Sequence, residues 1–243
     1  MIKQNFVLLK KKWKLLPHNH DKKNYSLISF NTKKGIDLKN NTNLVNAWLS
    51  NNKIESIDVS MLPNLQILMI SSNLINKIDV SKNPELLMLD IISTDIGILD
   101  VSNNPKLESL LISGTNIRSI DLSKNPELWS LAMAFTSINR IDISNNPKMA
   151  SLFCGWSDLS EINIGNNPIL LEIYNNTTPE ISSVEGLETD RHLYYNEEGD
   201  IAISISSDIK IVTEYKGVGD FVDRCYEIAL GREADEVGFN YWV

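Results

Sequence analysis

The chain has 243 residues, two cysteines, three histidines and a net charge of −8. With 42% hydrophobic and 22% charged residues it is too apolar to remain disordered, and two cysteines exclude a disulfide scaffold or a cysteine-built zinc site. No apolar run reaches the roughly 18 residues that a membrane-spanning helix needs.

Residues 1–35 read as a basic arm and N-terminal cap. Nine lysines against Asp21 give residues 1–34 a charge of +8, so the remainder carries −16. An acidic body repels nucleic acid and anionic membranes, which leaves the arm as the only attractor. The run Phe6-Val7-Leu8-Leu9 ends at Lys10, short of the about 7–15 residues of a secretory core, so no signal peptide is expected. His18-Asn19-His20-Asp21 sits among lysines and reads as a solvated loop rather than a metal site. Tyr25-Ser26-Leu27-Ile28-Ser29-Phe30 reads as a cap strand.

From residue 36 the chain repeats. Ile36, Ile57, Ile78, Leu99, Ile120, Ile141 and Ile162 recur every 21 residues, each followed by an aspartate or, at Asn163, its amide. Proline stands at position 7 in six of these seven units, from Pro63 to Pro168. Apolar residues fall at positions 1, 3, 9, 12, 14 and 19. The Leu-x-x-Leu-x-Ile segment alternates like a short strand, with position 13 facing away from positions 12 and 14. A single such strand cannot bury its face, but identical neighbours stacked at ~4.8 Å can. Seven units predict a parallel sheet of about 34 Å on that spacing.

The segment Leu65-Gln66-Ile67-Leu68-Met69-Ile70-Ser71-Ser72-Asn73-Leu74-Ile75 resembles the leucine-rich repeats, and the resemblance runs over residues 36–181. It implies a right-handed solenoid with a concave parallel sheet. The short period leaves no room for a convex α-helix, so extended backbone or 3₁₀ turns are expected at Ser-Lys-Asn-Pro. The asparagine that the family stacks at position 17 is Asn52 and Asn73 here, then Thr94, Thr115, Thr136 and Ser157. These hydroxyls can still satisfy turn carbonyls. The seventh unit slips after Ile173-Tyr174, and Asn175–Pro179 reads as a turn.

Residues 182–216 are expected to form a C-terminal cap. His192 falls in a loop, and Tyr194-Tyr195 with Ile201–Ile205 flank Asn196–Asp200 as a hairpin. Residues 217–243 follow a Lys216–Gly219 linker. Asp220 and Gly231 can cap a helix over 221–230. Phe221, Cys225-Tyr226, Leu230-Gly231-Arg232 and Tyr241-Trp242 resemble the truncated start of a helical domain found on bacterial surface and secreted proteins.

Catalytic signatures are lacking: no His-Glu-x-x-His, Gly-x-Ser-x-Gly or phosphate loop occurs. No catalytic residue, metal or cofactor is expected. Cys154 takes a position-14 core site, and a bridge to Cys225 is not expected. The position-2 aspartates predict an outward file. Calcium needs six to eight converging oxygens, so the file reads as structure, relieved by position-4 serines and turn amides.

The functional lead is the concave face. Position 13 reads Trp48, Met69, Asp90, Leu111, Ala132, Phe153 and Tyr174, flanked by Ile67, Met88, Ile92 and Ala134, with Trp129, Phe135 and Trp156 at the strand margins. An open sheet face should be polar, and a contiguous exposed apolar patch marks a binding surface. The sequence thus predicts a non-enzymatic module that recognises a protein or peptide through Trp48, Met69, Asp90, Leu111, Phe153 and Tyr174. Asp90 would fix register against a basic group. The N-terminal arm or a flanking domain could instead mask the stripe. Family resemblance implies a bacterial surface or extracellular location. Two rival readings are a polyanion-binding tail on an inert scaffold and the targeting region of a larger enzyme.

Overall fold

The computed structural model describes residues 35–165 and 167–169 in full. It also describes the backbone of the strands at 25–27, 180–182, 191–195, 201–206 and 210–212. Each repeat makes one coil. Its concave side is a three-residue strand: β3 (Asn46–Trp48), β5 (Ile67–Met69), β6 (Met88–Asp90), β7 (Ser109–Leu111), β8 (Ser130–Ala132) and β10 (Ser151–Phe153). These pair in parallel with a register of 21 residues, Leu68 beside Leu89 beside Leu110. The cap strand expected near Tyr25 is β1 (Tyr25–Leu27), which joins the sheet beside β3.

The return side is built of turns and short strands, as the 21-residue period requires. β2 (Gly35–Ile36) pairs with β4 (Ser56–Ile57), and β9 (Arg140–Asp142) pairs with β11 (Glu161–Asn163). Between return side and sheet, two turns run back to back. In the third coil the amide of Asn83 donates to the Val80 carbonyl and that of Leu86 to the Asn83 carbonyl. Pro84 sits second in the later turn, where its fixed φ suits and no N–H is needed.

The core follows the sequence period. Leu65, Leu68, Ile70 and Ile75 are fully buried, as are their counterparts Leu86, Leu89, Ile91 and Ile96 and Leu107, Leu110, Ile112 and Ile117. One continuous cluster runs from Leu38 to Ile164. Each such side chain is worth roughly 1.5–3 kcal/mol of transfer free energy.

At the far end the structure corrects the seven-strand expectation. The neighbour of β10 is β14 (Ile201–Ser206), in parallel, with Phe153 beside Ser204. β13 (Arg191–Tyr195) lies antiparallel to β14, and β12 (Glu180–Ser182) antiparallel to β13. The predicted hairpin therefore exists and extends the concave sheet itself, giving ten strands. His192 lies within β13, not in a loop. β15 (Lys210–Val212) adds to β11 on the return side. Tyr174, the arm, the linker, Cys225 and the terminal helix lie outside the described residues. Among the described residues no helix is long and apolar enough to cross a membrane.

Candidate functional site: the concave face

Positions 11 and 13 of every coil point out of the sheet, away from the main core. There they form a second apolar cluster of Ile67, Met88, Leu111 and Ala132, against which Trp48, Met69, Ile92, Trp129 and Phe153 pack. The structure thus brings Trp48, Met69, Asp90, Leu111 and Phe153 together on one face, in register from β3 to β10. In the next place along the row it puts Ser204 instead of Tyr174.

The expected exposure of this face is not what the structure has. Leu111 is 6% exposed, Ile67 4%, Met88 3% and Ala132 2%, whereas Trp48, Met69 and Phe153 at the flanks are half-buried. Alternation correctly sends these side chains outward, but it fixes a direction and carries no information about what lies above them. Leu111→Lys would therefore bury an amine and destabilise the fold.

Asp90 stands in the middle of this cluster, buried to 3% exposure. The Ile92 amide donates to its Oδ1 at 3.1 Å. The hydroxyl of Ser71, which lies 2.8 Å from that of Ser50, also hydrogen-bonds the carboxylate. Burial raises its pKa to about 6, against the lowering effect of those two donors. A carboxylate this dry is a strong attractor for a cation.

One margin of the face carries a strained row. Position 16 adopts a left-handed backbone in six successive coils: Asn51, Ser72, Ser93, Gly114, Phe135 and Trp156, with φ of 53° to 65°. Asparagine and glycine suit that conformation, and bulky aromatics do not. Yet Phe135 and Trp156 stack there, ring centroids 5.3 Å apart and planes at 15°, with Phe135 57% exposed. Glycine at 135 should outperform alanine by about 1 kcal/mol, reversing the usual order, because both lose the stack and only alanine keeps the strain. Paired thermal melts of Phe135→Gly and Phe135→Ala check this. Equal melting temperatures would show that the position carries no strain.

The remaining candidates are structural. The position-2 aspartates cap turns: Oδ1 of Asp58, Asp79, Asp100, Asp121 and Asp142 accepts from the amides of Ser60, Ser81, Ser102, Ser123 and Ser144 at 2.8–2.9 Å. Hydrogen bonds from those serines hold the exposed carboxyls of Asp58, Asp79, Asp100 and Asp121 below the usual range. Among the described residues no three potential ligands converge on a metal. Cys154 is a fully buried thiol whose pKa burial pushes up, so it is a core residue. The position-17 hydroxyls bond as expected, Thr94, Thr115 and Thr136 each donating to the carbonyl three residues back at 2.7–2.8 Å.

Missed in the sequence was a second ladder at position 6. Asn83, Asn104, Asn125 and Asn146 are wholly buried. Each side-chain amide donates to two carbonyls of the preceding coil; Asn125 reaches Val101 at 3.0 Å and Asn104 at 2.9 Å. The Asn-Pro pair recurring from Asn83 to Asn167 was visible in the repeats, but a Ser-x-Asn-Pro string also reads as ordinary turn chemistry.

No family model matches the chain, and no curated protein does. Among solved structures it is similar to the functional domain of InlJ from Listeria monocytogenes, at 22% identity and a TM-score of 0.44, covering 57% of this chain and 43% of that one. It is also similar to an internalin, inlF, of the same organism, at 25% identity and a TM-score of 0.48, covering 52% and 38%. The leucine-rich-repeat protein LIC12759 of Leptospira interrogans aligns at 20% identity with a TM-score of 0.47, over 52% and 38%. The chain spans about two fifths of the length of each of these. The 21-residue motif, the parallel strand that each copy adds and the ladders at positions 6 and 17 make this chain a leucine-rich-repeat solenoid.

Proposed function

We propose that the chain is a non-enzymatic interaction module that recognises a protein or peptide through its concave face, as part of a bacterial surface or secreted protein. The observation that carries this reading is the second apolar cluster. The solenoid already closes its own core with positions 9, 12, 14 and 19, so large apolar residues at 11 and 13 add nothing that the coil needs. Rigid strands present them at little ordering cost. Trp48, Met69 and Phe153 supply the accessible contacts, since half-buried aromatic and Met side chains suit an interface core. Asp90 supplies the polar contact that fixes register. Tyr174 remains a proposed contributor from beyond β10.

The test is selection of short peptides from a displayed library on the immobilised full chain. Peptides recovered on the wild type should lose at least about tenfold in affinity, or 1.4 kcal/mol, on Phe153→Lys. They should be unaffected by Ile98→Lys, at an 87% exposed return-side position. Equal retention on both variants would remove the concave face as the site. Binding that instead collapses with added salt, independent of Phe153, would favour the lysine-rich arm as the active part.

A further inference from the structure

We propose that the margin of the concave face binds an arginine side chain of a partner protein, its guanidinium laid on Phe135 over Gly114 with Asp95 as counter-charge. The partner rests on the interaction role proposed above, whereas the slot rests on its own geometry. The first observation is strain without burial. Phe135 and Trp156 hold a left-handed backbone at φ 56° and 59°, which bulky side chains rarely adopt. The coil does not need aromatics there, since Asn51, Ser72, Ser93 and Gly114 take the same conformation. The two rings stack, yet Phe135 stays 57% exposed, so core packing does not account for it. Backbone strain at an exposed side chain serves a contact rather than the fold.

The second is the open face of that ring. Position 16 recurs coil over coil at one strand spacing, ~4.8 Å. Trp156, in the following coil, covers one face of Phe135 with planes at 15°. The other face looks toward the preceding coil, where position 16 is Gly114 and has no side chain. Beyond it stands Ser93, whose hydroxyl oxygen would lie 3.6 Å from a Cβ placed on Gly114. Phe135 and Ser93 are thus two spacings apart, about 10 Å, with only glycine backbone between them. A flat group entering there becomes the third plane of the Trp156–Phe135 stack.

The third is charge. Asp95 and Asn116 follow Ser93 and Gly114 by two residues, so they edge the same two coils, and both are exposed. The Asn116 side-chain amide donates to the Asp95 carbonyl oxygen at 3.4 Å. Among the described residues the Asp95 carboxylate has no ion-pair partner. Residues 35–243 carry a net −16, and an acidic body draws cations toward its surface. An aromatic face beside an unpaired carboxylate selects a cation over a neutral ring. Arginine fits better than lysine, because its plane can stack on the ring while its edge forks onto the carboxylate.

The experiment uses the full chain with 4-fluorophenylalanine in place of Phe135 and follows its fluorine NMR resonance. The probes are hexa-arginine and hexa-lysine, titrated at about 0.15 M salt. Hexa-arginine should move the resonance saturably, with a midpoint roughly fivefold below that of hexa-lysine. Gly114→Asn should abolish the shift, because its side chain fills the slot on a backbone that Asn51 already adopts at φ 59°. Asp95→Asn should raise the midpoint about threefold. Equal midpoints for the two peptides would reduce the effect to bulk charge and overturn the proposal. So would a shift that survives Gly114→Asn, one that Asp95→Asn leaves unchanged, or no shift at all. Neither Trp48, Met69 nor Phe153 enters this readout, so its failure and a failure of peptide selection are told apart.

Discussion

Asn125→Ala should destabilise the solenoid by about 2 kcal/mol, although it removes only three heavy atoms from a residue with no contact to solvent. The Asn125 side chain donates to the carbonyls of Val101 and Asn104, both in the preceding coil. Its own carbonyl accepts from the Asn146 side chain of the next. Alanine removes two buried hydrogen bonds, each worth about 1 kcal/mol net, and leaves a small gap, while the backbone amides of Asn104 and Leu107 still donate to those two carbonyls. The turn itself survives, because its backbone bonds from Asn125 to Leu122 and from Leu128 to Asn125 need no side chain. In a chain of this size the loss should lower the melting temperature by roughly 4–8 °C. Asn125→Asp is the sharper variant: it keeps the shape but replaces the donor with an acceptor facing two carbonyls, and it should be worse than alanine at neutral pH. Thermal melts of the two variants decide the matter. A loss no larger than that of an exposed-site change such as Asn103→Ala would show that the ladder is decorative.

Why this ladder escaped the sequence reading, while the position-17 ladder did not, is a matter of what each pattern excludes. At position 17 the exchange of Asn for Thr and Ser keeps one property, a short polar group able to reach a carbonyl three residues back, and that shared property is the signal. At position 6 the residue never varies from Asn83 to Asn167, and an invariant Asn before Pro is equally satisfied by turn preference alone. Burial separates the two explanations, and burial belongs to the neighbouring coil. The core was legible for the opposite reason: period, alternation and β-branched residues all select the same inward set, and every one of Leu68, Leu89 and Leu110 is fully buried. The concave face was legible in direction but not in exposure. Leu111 and Met88 alternate outward as any strand residue must, and what covers them is not a property of strand geometry. Position 16 carried a legible hint in Asn51 and Gly114, both tolerant of positive φ, which Phe135 and Trp156 then obscured. The expected neighbour of β10 was not legible because β14 takes that edge, a non-local pairing that no repeat phase encodes.

Asp90 should make the chain less stable as pH rises from about 4 to 6, the reverse of what its other aspartates do. Its folded pKa of about 6 lies above the ordinary aspartate value of 3.8 because burial disfavours the carboxylate. Between those two values the folded chain holds a proton that the unfolded chain has released, so raising the pH favours unfolding. The stabilisation due to the protonated carboxyl is fully present below the unfolded value and is lost through about pH 6. Two pKa units correspond to roughly 3 kcal/mol. The capping aspartates Asp58, Asp79, Asp100 and Asp121 have lowered pKa values. Their contribution runs the other way, present above the unfolded value and lost as pH falls below about 4. The two effects separate in a difference measurement. Asp90→Asn keeps a side-chain oxygen to accept from the Ile92 amide but cannot ionise, so it should match the wild type near pH 4 and exceed it by up to about 3 kcal/mol at pH 7. Denaturant midpoints of both chains across that range give the answer. A wild-type and variant pair whose stabilities track each other at every pH would mean that folding leaves the Asp90 carboxyl unshifted, and burial would not hold its proton.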